Sequence, residues 1–174
     1  METALISLVC VAIIIVGTVT TMLNSFNAAS TVAESLKEME EEAGNIRRTE
    51  IDARDNNNTG GGDFYITVDN DGQTNLSQFS KWDVIVQYRG SDDNYYLKYL
   101  EYTASDPPGN DRWTVDGIYL PGGGSEVWDI DILNPGENMQ LQIDLNPRID
   151  RYSTARITIS TPNGVTSQCL ATRQ

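Results

Sequence analysis

Carboxylates are what this sequence offers for chemistry, and they come in close pairs. Asp69-Asn70-Asp71-Gly72 opens like a calcium loop, with acidic and amide oxygens alternating before a glycine. An EF-hand needs its glycine sixth and a glutamate twelfth, whereas here the glycine comes fourth and the twelfth residue is Ser80. The stretch reads first as a hairpin turn, and a Ca²⁺ ion between Asp69 and Asp71 is the one metal site its pattern admits. Asp129 and Asp131 share one face of an extended segment, and Asp92 and Asp93 share a loop. Such pairs can do acid–base or glycosidase work, but with no pocket advertised they read as a solvated acidic face. The glycine runs Gly60–Gly62 and Gly122–Gly124 lack the Lys-Ser/Thr of a phosphate loop, so they are linker and turn.

Other chemistry is excluded by composition. There is no histidine, which removes the commonest general base and transition-metal ligand and rules out Ser-His-Asp and Cys-His catalysis. The two cysteines, Cys10 and Cys169, lie in an apolar run and near the far end, so they form neither a disulfide framework nor a metal motif. With 25 acidic against 12 basic residues the formal net charge is −13. That surface repels nucleic acid and anionic lipid. No cofactor site and no enzyme follow from these residues. Asn57-Asn58-Thr59 and Asn75-Leu76-Ser77 have the form of N-glycosylation acceptors, making Asn57 and Asn75 candidate glycan sites.

The element that everything else hangs from is the first stretch. Thr3 to Ala33 contains no charged side chain, and Ala4 to Met22 is almost wholly apolar and free of proline. A helix needs roughly 20 such residues to span a bilayer. A secretory signal would be shorter and preceded by positive charge, yet the first basic residue is Lys37. A retained membrane helix is expected, on a mature form from which a basic leader has been removed. Strong helix formers continue to Arg54, broken only by Gly44. Val32, Leu36, Met39, Ala43 and Ile46 recur alternately four and three apart, drawing one stripe. Lys37–Glu41, Arg48–Asp52 and Glu50–Arg54 are spaced for helix-supporting ion pairs. The expected helix is therefore 1–54, and 55–62, rich in Asn and Gly, is a flexible joint.

From Phe64 on the period changes to two. Strands are expected at Phe64–Val68, Trp82–Tyr88, Tyr95–Tyr102, Trp113–Val115, Ile118–Leu120, Val127–Ile132, Met139–Leu145, Ala155–Ile159 and Val165–Cys169. Asn163-Gly164 signals a tight hairpin. In Tyr95–Tyr102 both faces are partly apolar, so one is expected to meet a neighbouring subunit. Residues 63–174 thus read as an antiparallel immunoglobulin-like β-sandwich, and the whole chain as α+β.

This combination resembles the archaellin and archaeal type IV pilin-like superfamily. ALISLVCVAIIIVGTVTTMLNSF is similar to the archaellin core helix. ILNPGENMQLQIDLNP followed by TARITISTPNGVTSQ resembles the archaellin ending, and FYITVDNDGQTNLS with WDVIVQYRG resembles the F-type accessory subunit of the archaellum. Leu5 stands where bacterial pilins carry glutamate, which sets the chain apart from those. The resemblance implies a membrane-inserted precursor that polymerises with identical copies into an extracellular archaellum-like or pilus-like filament for motility or adhesion. It also implies a separate platform and cytoplasmic ATPase, and contact with a surface layer in the alternative F- or G-type accessory role. Helix residues expected to pack between subunits are Leu5, Leu8, Val9, Ile13, Val16, Leu23, Val32, Leu36, Met39, Ala43 and Ile46.

Overall fold

The computed structural model describes residues 2–56 and 63–174, with the side chains of 2–5 and 63 outside that description. It divides into two compact units, Met1–Gly44 and Asn45–Gln174. The first is most of α1 (Glu2–Arg48), a single helix of 47 residues, about 70 Å long at 1.5 Å per residue. Four of its threonines satisfy themselves: Thr18, Thr20, Thr21 and Thr31 donate their hydroxyls to carbonyls one turn back. No polar hydrogen of these side chains then needs water, which suits a helix crossing lipid.

The helix stops six residues short of the expected end. At Thr49 both the backbone N–H and the hydroxyl bond to the carbonyl of Asn45, at 3.1 and 2.9 Å. The chain then turns extended as β1 (Ile51–Asp55). Ile51 and Ala53 are buried while Asp52 and Arg54 are exposed. That alternation is the signal that the helix-former count overrode. Arg48–Asp52 and Glu50–Arg54 are consequently not helical pairs. Arg54 instead forms an ion pair with Asp69 on the neighbouring strand. The guanidinium is held above its ordinary pKa by that hydrogen bond and charge.

Seven more strands complete the second unit: β2 (Asp63–Asn70), β3 (Asp83–Arg89), β4 (Tyr95–Tyr102), β5 (Arg112–Tyr119), β6 (Asn138–Asp144), β7 (Thr154–Ser160) and β8 (Thr166–Thr172). They run in the order β1-β2-β6-β5-β4-β3-β7-β8. All described pairings are antiparallel except β4–β5, where Glu101 and Tyr102 meet Arg112 and Trp113 in parallel. At the other edge β1 lies beside β8, where the Ala53 N–H donates to Ser167 Oγ at 3.0 Å. The sandwich is nearly closed into a barrel. Trp113–Val115 and Ile118–Leu120 proved to be one strand, bulged between Val115 and Gly117. Val127–Ile132 forms no strand; it is an exposed loop.

The core is the inward face of each alternating strand. Val84, Val86 and Tyr88 on β3 meet Leu141 and Ile143 on β6 and Ile157 and Ile159 on β7, all essentially without solvent exposure. Cys169 is buried, and its thiol is pushed up to about 11, first by desolvation and then by Asp55 and Asp52. It should therefore resist alkylation at neutral pH until the sandwich is unfolded, a difference readable by mass spectrometry with and without denaturant.

One end of the sandwich is locked by two turns. Asn70, fully buried, donates through its amide to the carbonyls of Thr74 (2.8 Å) and Leu133 (2.9 Å). Its backbone N–H and C=O bond to Glu137 and Gly136 in the Asn134–Glu137 turn. On the other side Asp71 and Gly72 donate to the Glu50 carbonyl, and Gln73 to that of Arg48. A Cβ on Gly72 would lie 2.5 Å from the Glu50 nitrogen and 2.6 Å from the Arg48 oxygen, both backbone atoms. Gly72→Ala should cost about 1–3 kcal/mol by overpacking, and Asn70→Ala a similar ~1–3 kcal/mol by removing the donor to the Thr74 carbonyl and one of the two donors to that of Leu133. Urea unfolding of each variant against the parent checks both.

Candidate functional site

The carboxylate pairs do not converge. Among the described residues no three His, Cys, Asp or Glu side chains are grouped as a metal would need. Asp69 is engaged by Arg54 and Asp71 is exposed beyond it. Asp92 accepts from the Tyr96 hydroxyl at 2.6 Å and the Asn94 amide at 2.9 Å, which hold its carboxyl below the usual range. Asp129 and Asp131 lie on the exposed loop. Of the two sequons, Asn57 falls outside the described residues. Asn75 is exposed at a polar cleft of about 530 Å³ that Asn45, Thr49, Gln73, Trp82 and Asn163 also line. It is open as a glycan acceptor must be.

What stands out is uncovered apolar surface, and it begins on α1. Leu8, Ile13, Val16, Leu23, Val32, Leu36 and Met39 are all exposed in the single chain, as are Val9, Ala43 and Ile46. The side chain of Leu5 lies outside the described residues. The four–three spacing of the charged half extends backwards through Ala29, Ser25, Met22, Thr18, Ile15 and Val11 to Leu8. That continuous seam was missed because its middle is small and hydroxylic rather than apolar. Leu8, Val32, Leu36, Met39, Ala43 and Ile46 fall on it. Val9, Ile13, Val16 and Leu23 sit on other sides of the helix, in the half that is apolar all round. This is by length and composition a helix able to cross a membrane.

The sandwich carries two further patches. On the outward face of β4 and β3, Tyr95, Leu97 and Tyr99 stand exposed with Ile85 opposite Tyr99, and Leu170 is exposed on β8. The second patch is the loop after β5, where Val127, Trp128 and Ile130 project into solvent; Trp128 is 92% exposed. This loop is not slack. Glu126 Oε1 accepts the backbone N–H groups of Trp128 (2.7 Å), Val127 (2.9 Å) and Asp129 (3.3 Å). Those bonds, Trp128's foremost, hold the Glu126 carboxyl below its ordinary value of 4.5. A depressed folded-state pKa means the pinning is complete above the ordinary value and is lost as pH falls through the lower one. Amide exchange at residues 127–129, corrected for intrinsic rates, should be protected near neutrality and lose that protection in acid; Glu126→Ala should remove it at every pH.

A long apolar helix feeding a β-sandwich, each with uncovered apolar surface, defines a pilin-like architecture. A family model for archaeal-type flagellin matches residues 4–169, and the chain belongs to that family. The family consists of structural proteins that form extracellular archaellum filaments and is not a family of enzymes. The subunit of the archaeal flagellum of Methanospirillum hungatei strain JF1 is similar in fold, with 13% identity, a TM-score of 0.60, and coverage of 97% of this chain and 91% of that one. The archaellum periplasmic stator protein FlaG from Sulfolobus acidocaldarius is 22% identical, with a TM-score of 0.49 over 70% of this chain and 98% of that one. Archaeal flagellin FlaB1 from Methanocaldococcus jannaschii is 12% identical, with a TM-score of 0.49 over 69% and 83%. Comparison with curated protein sequences gives no match.

Proposed function

We propose that this chain polymerises with identical copies into an extracellular filament used for motility or adhesion. One observation carries the proposal: a helix of about 70 Å whose apolar side chains are bare in the single chain. Before assembly, lipid covers residues in the all-apolar half. The seam from Val32 to Ile46 lies among charged residues and has no such cover, so it gains burial only from another helix. Each Leu, Ile, Val or Met so buried contributes about 1.5–3 kcal/mol. Helices then bundle as the filament core while the sandwiches face outward. The driving machinery, a membrane platform and a cytoplasmic ATPase, is supplied by other chains.

Leu36→Asp or Met39→Asp should abolish filaments on the cell surface while leaving the sandwich folded, as judged by electron microscopy of sheared material and by circular dichroism of the purified chain. Filaments of normal stability from either variant would refute a helical core. If the parent chain instead stayed with the membrane at low copy number, the reading would become an accessory subunit anchoring the motor to the envelope.

A further inference from the structure

The two exposed patches of the sandwich differ in shape and charge. The loop is a knob: Val127, Trp128 and Ile130 outward, with Asp129 and Asp131 beside them. The sheet face holds a depression of about 260 Å³ lined by Gln87, Tyr88, Tyr95, Thr154, Arg156 and Leu170. That is below the ~300–1,000 Å³ of small-molecule sites. It is an open depression whose exposed apolar walls are Tyr95 and Leu170, with Gln87, Thr154 and Arg156 supplying polar edges. Arg156 at its edge is exposed and makes none of the described ion pairs.

The same domain cannot bring the two together. β4 runs from Tyr95 to Tyr102, where it meets Trp113 in parallel, and β5 carries on to Tyr119 before the knob begins. The chain turns back after Tyr119, with Ser125 bridged to it and Ile130 and Asp131 beside Tyr102 and Val115. Knob and depression therefore lie toward opposite ends of β4, roughly 25 Å apart along the strands at about 3.3 Å per residue. A knob at one end and a socket at the other describe a heterologous contact, which builds an open chain of subunits.

We infer that Trp128 of one subunit docks into the Tyr95–Arg156–Leu170 depression of the next, so that the outer domains are joined directly as well as through their helices. The indole covers Tyr95 and Leu170, the Arg156 guanidinium lies against its ring, and Asp129 and Asp131 meet Arg156 at the rim. Glu126 fixes the knob in advance, so little loop entropy is lost on docking. The inference rests on the filament reading above.

The test places photoreactive p-benzoylphenylalanine at position 128 of the full chain and irradiates intact filaments. A dimer-sized product on a denaturing gel is expected, with the cross-link mapping by mass spectrometry to Gln87, Tyr95, Thr154, Arg156 or Leu170 of a second copy. Arg156→Glu should lower its yield about tenfold or more, the scale of a close interfacial charge pair. Combining Arg156→Glu with Asp129→Lys and Asp131→Lys should restore it. A cross-link that maps elsewhere or to another protein, or no dimer in well-formed filaments, overturns the socket while leaving the helical core standing. If the parent chain forms no filaments, both readings fall.

Discussion

A single buried amide sets the geometry at the base of the sandwich. Asn70 has no exposure to water, so its donors and acceptors must be met inside the protein, and the chain around it is arranged to do so. Meeting them fixes the Asn134–Glu137 turn on one side and the Asp71–Gln73 backbone on the other. The latter in turn reaches the carbonyls of Arg48 and Glu50, where helix gives way to strand. The place at which the first strand starts, Ile51, thus depends on a residue 19 positions later.

The two units are suited to different surroundings. The first half of α1 is suited to lipid, because its backbone bonds internally and Thr18, Thr20 and Thr21 bond back to it. The second half bears Glu and Lys on most sides and an apolar seam on one, which is stable in water only as part of a bundle. In the proposed assembly, the all-apolar half would exchange lipid for neighbouring helices, while the seam beyond Val32 would gain a cover it lacked. The sandwich is self-sufficient by contrast, its core filled from both sheets.

Much of this was legible in the residues. The strict alternation of Met139 to Leu145 and Ala155 to Ile159 could only place one face in a core, and the uncharged run to Ala33 could only be a long apolar helix. Two misreadings share a physical cause. Residues 49–54 contain good helix formers, yet Thr49 and the Ile51/Ala53 alternation prevailed because β2 offers a partner strand and a place to bury them. Val127–Ile132 has strand-forming residues but finds no partner, so it remains a loop. The acids at Asp69–Gly72 suggest a hairpin turn, but β2 pairs with β1 and β6 and ends at Asn70 without a hairpin, and the residue that organises the bend after it is that asparagine. Propensity and spacing are local, and a buried hydrogen-bonding role for Asn70 depends on Leu133, far along the chain.

The last helical turn, Asn45–Arg48, belongs with the sandwich, and this has a mechanical consequence. Tension along the helix enters the domain at Thr49. There the three hydrogen bonds from Asp71, Gly72 and Gln73 stretch together with the Thr49 hydroxyl contacts to Thr74 and Asn163. These bonds are strained as a group before the first rung of the β1–β2 ladder at Ile51. The outer domain is gripped at its root by a short clamp, and a pull that would peel an unclamped edge strand one rung at a time must first break several bonds at once.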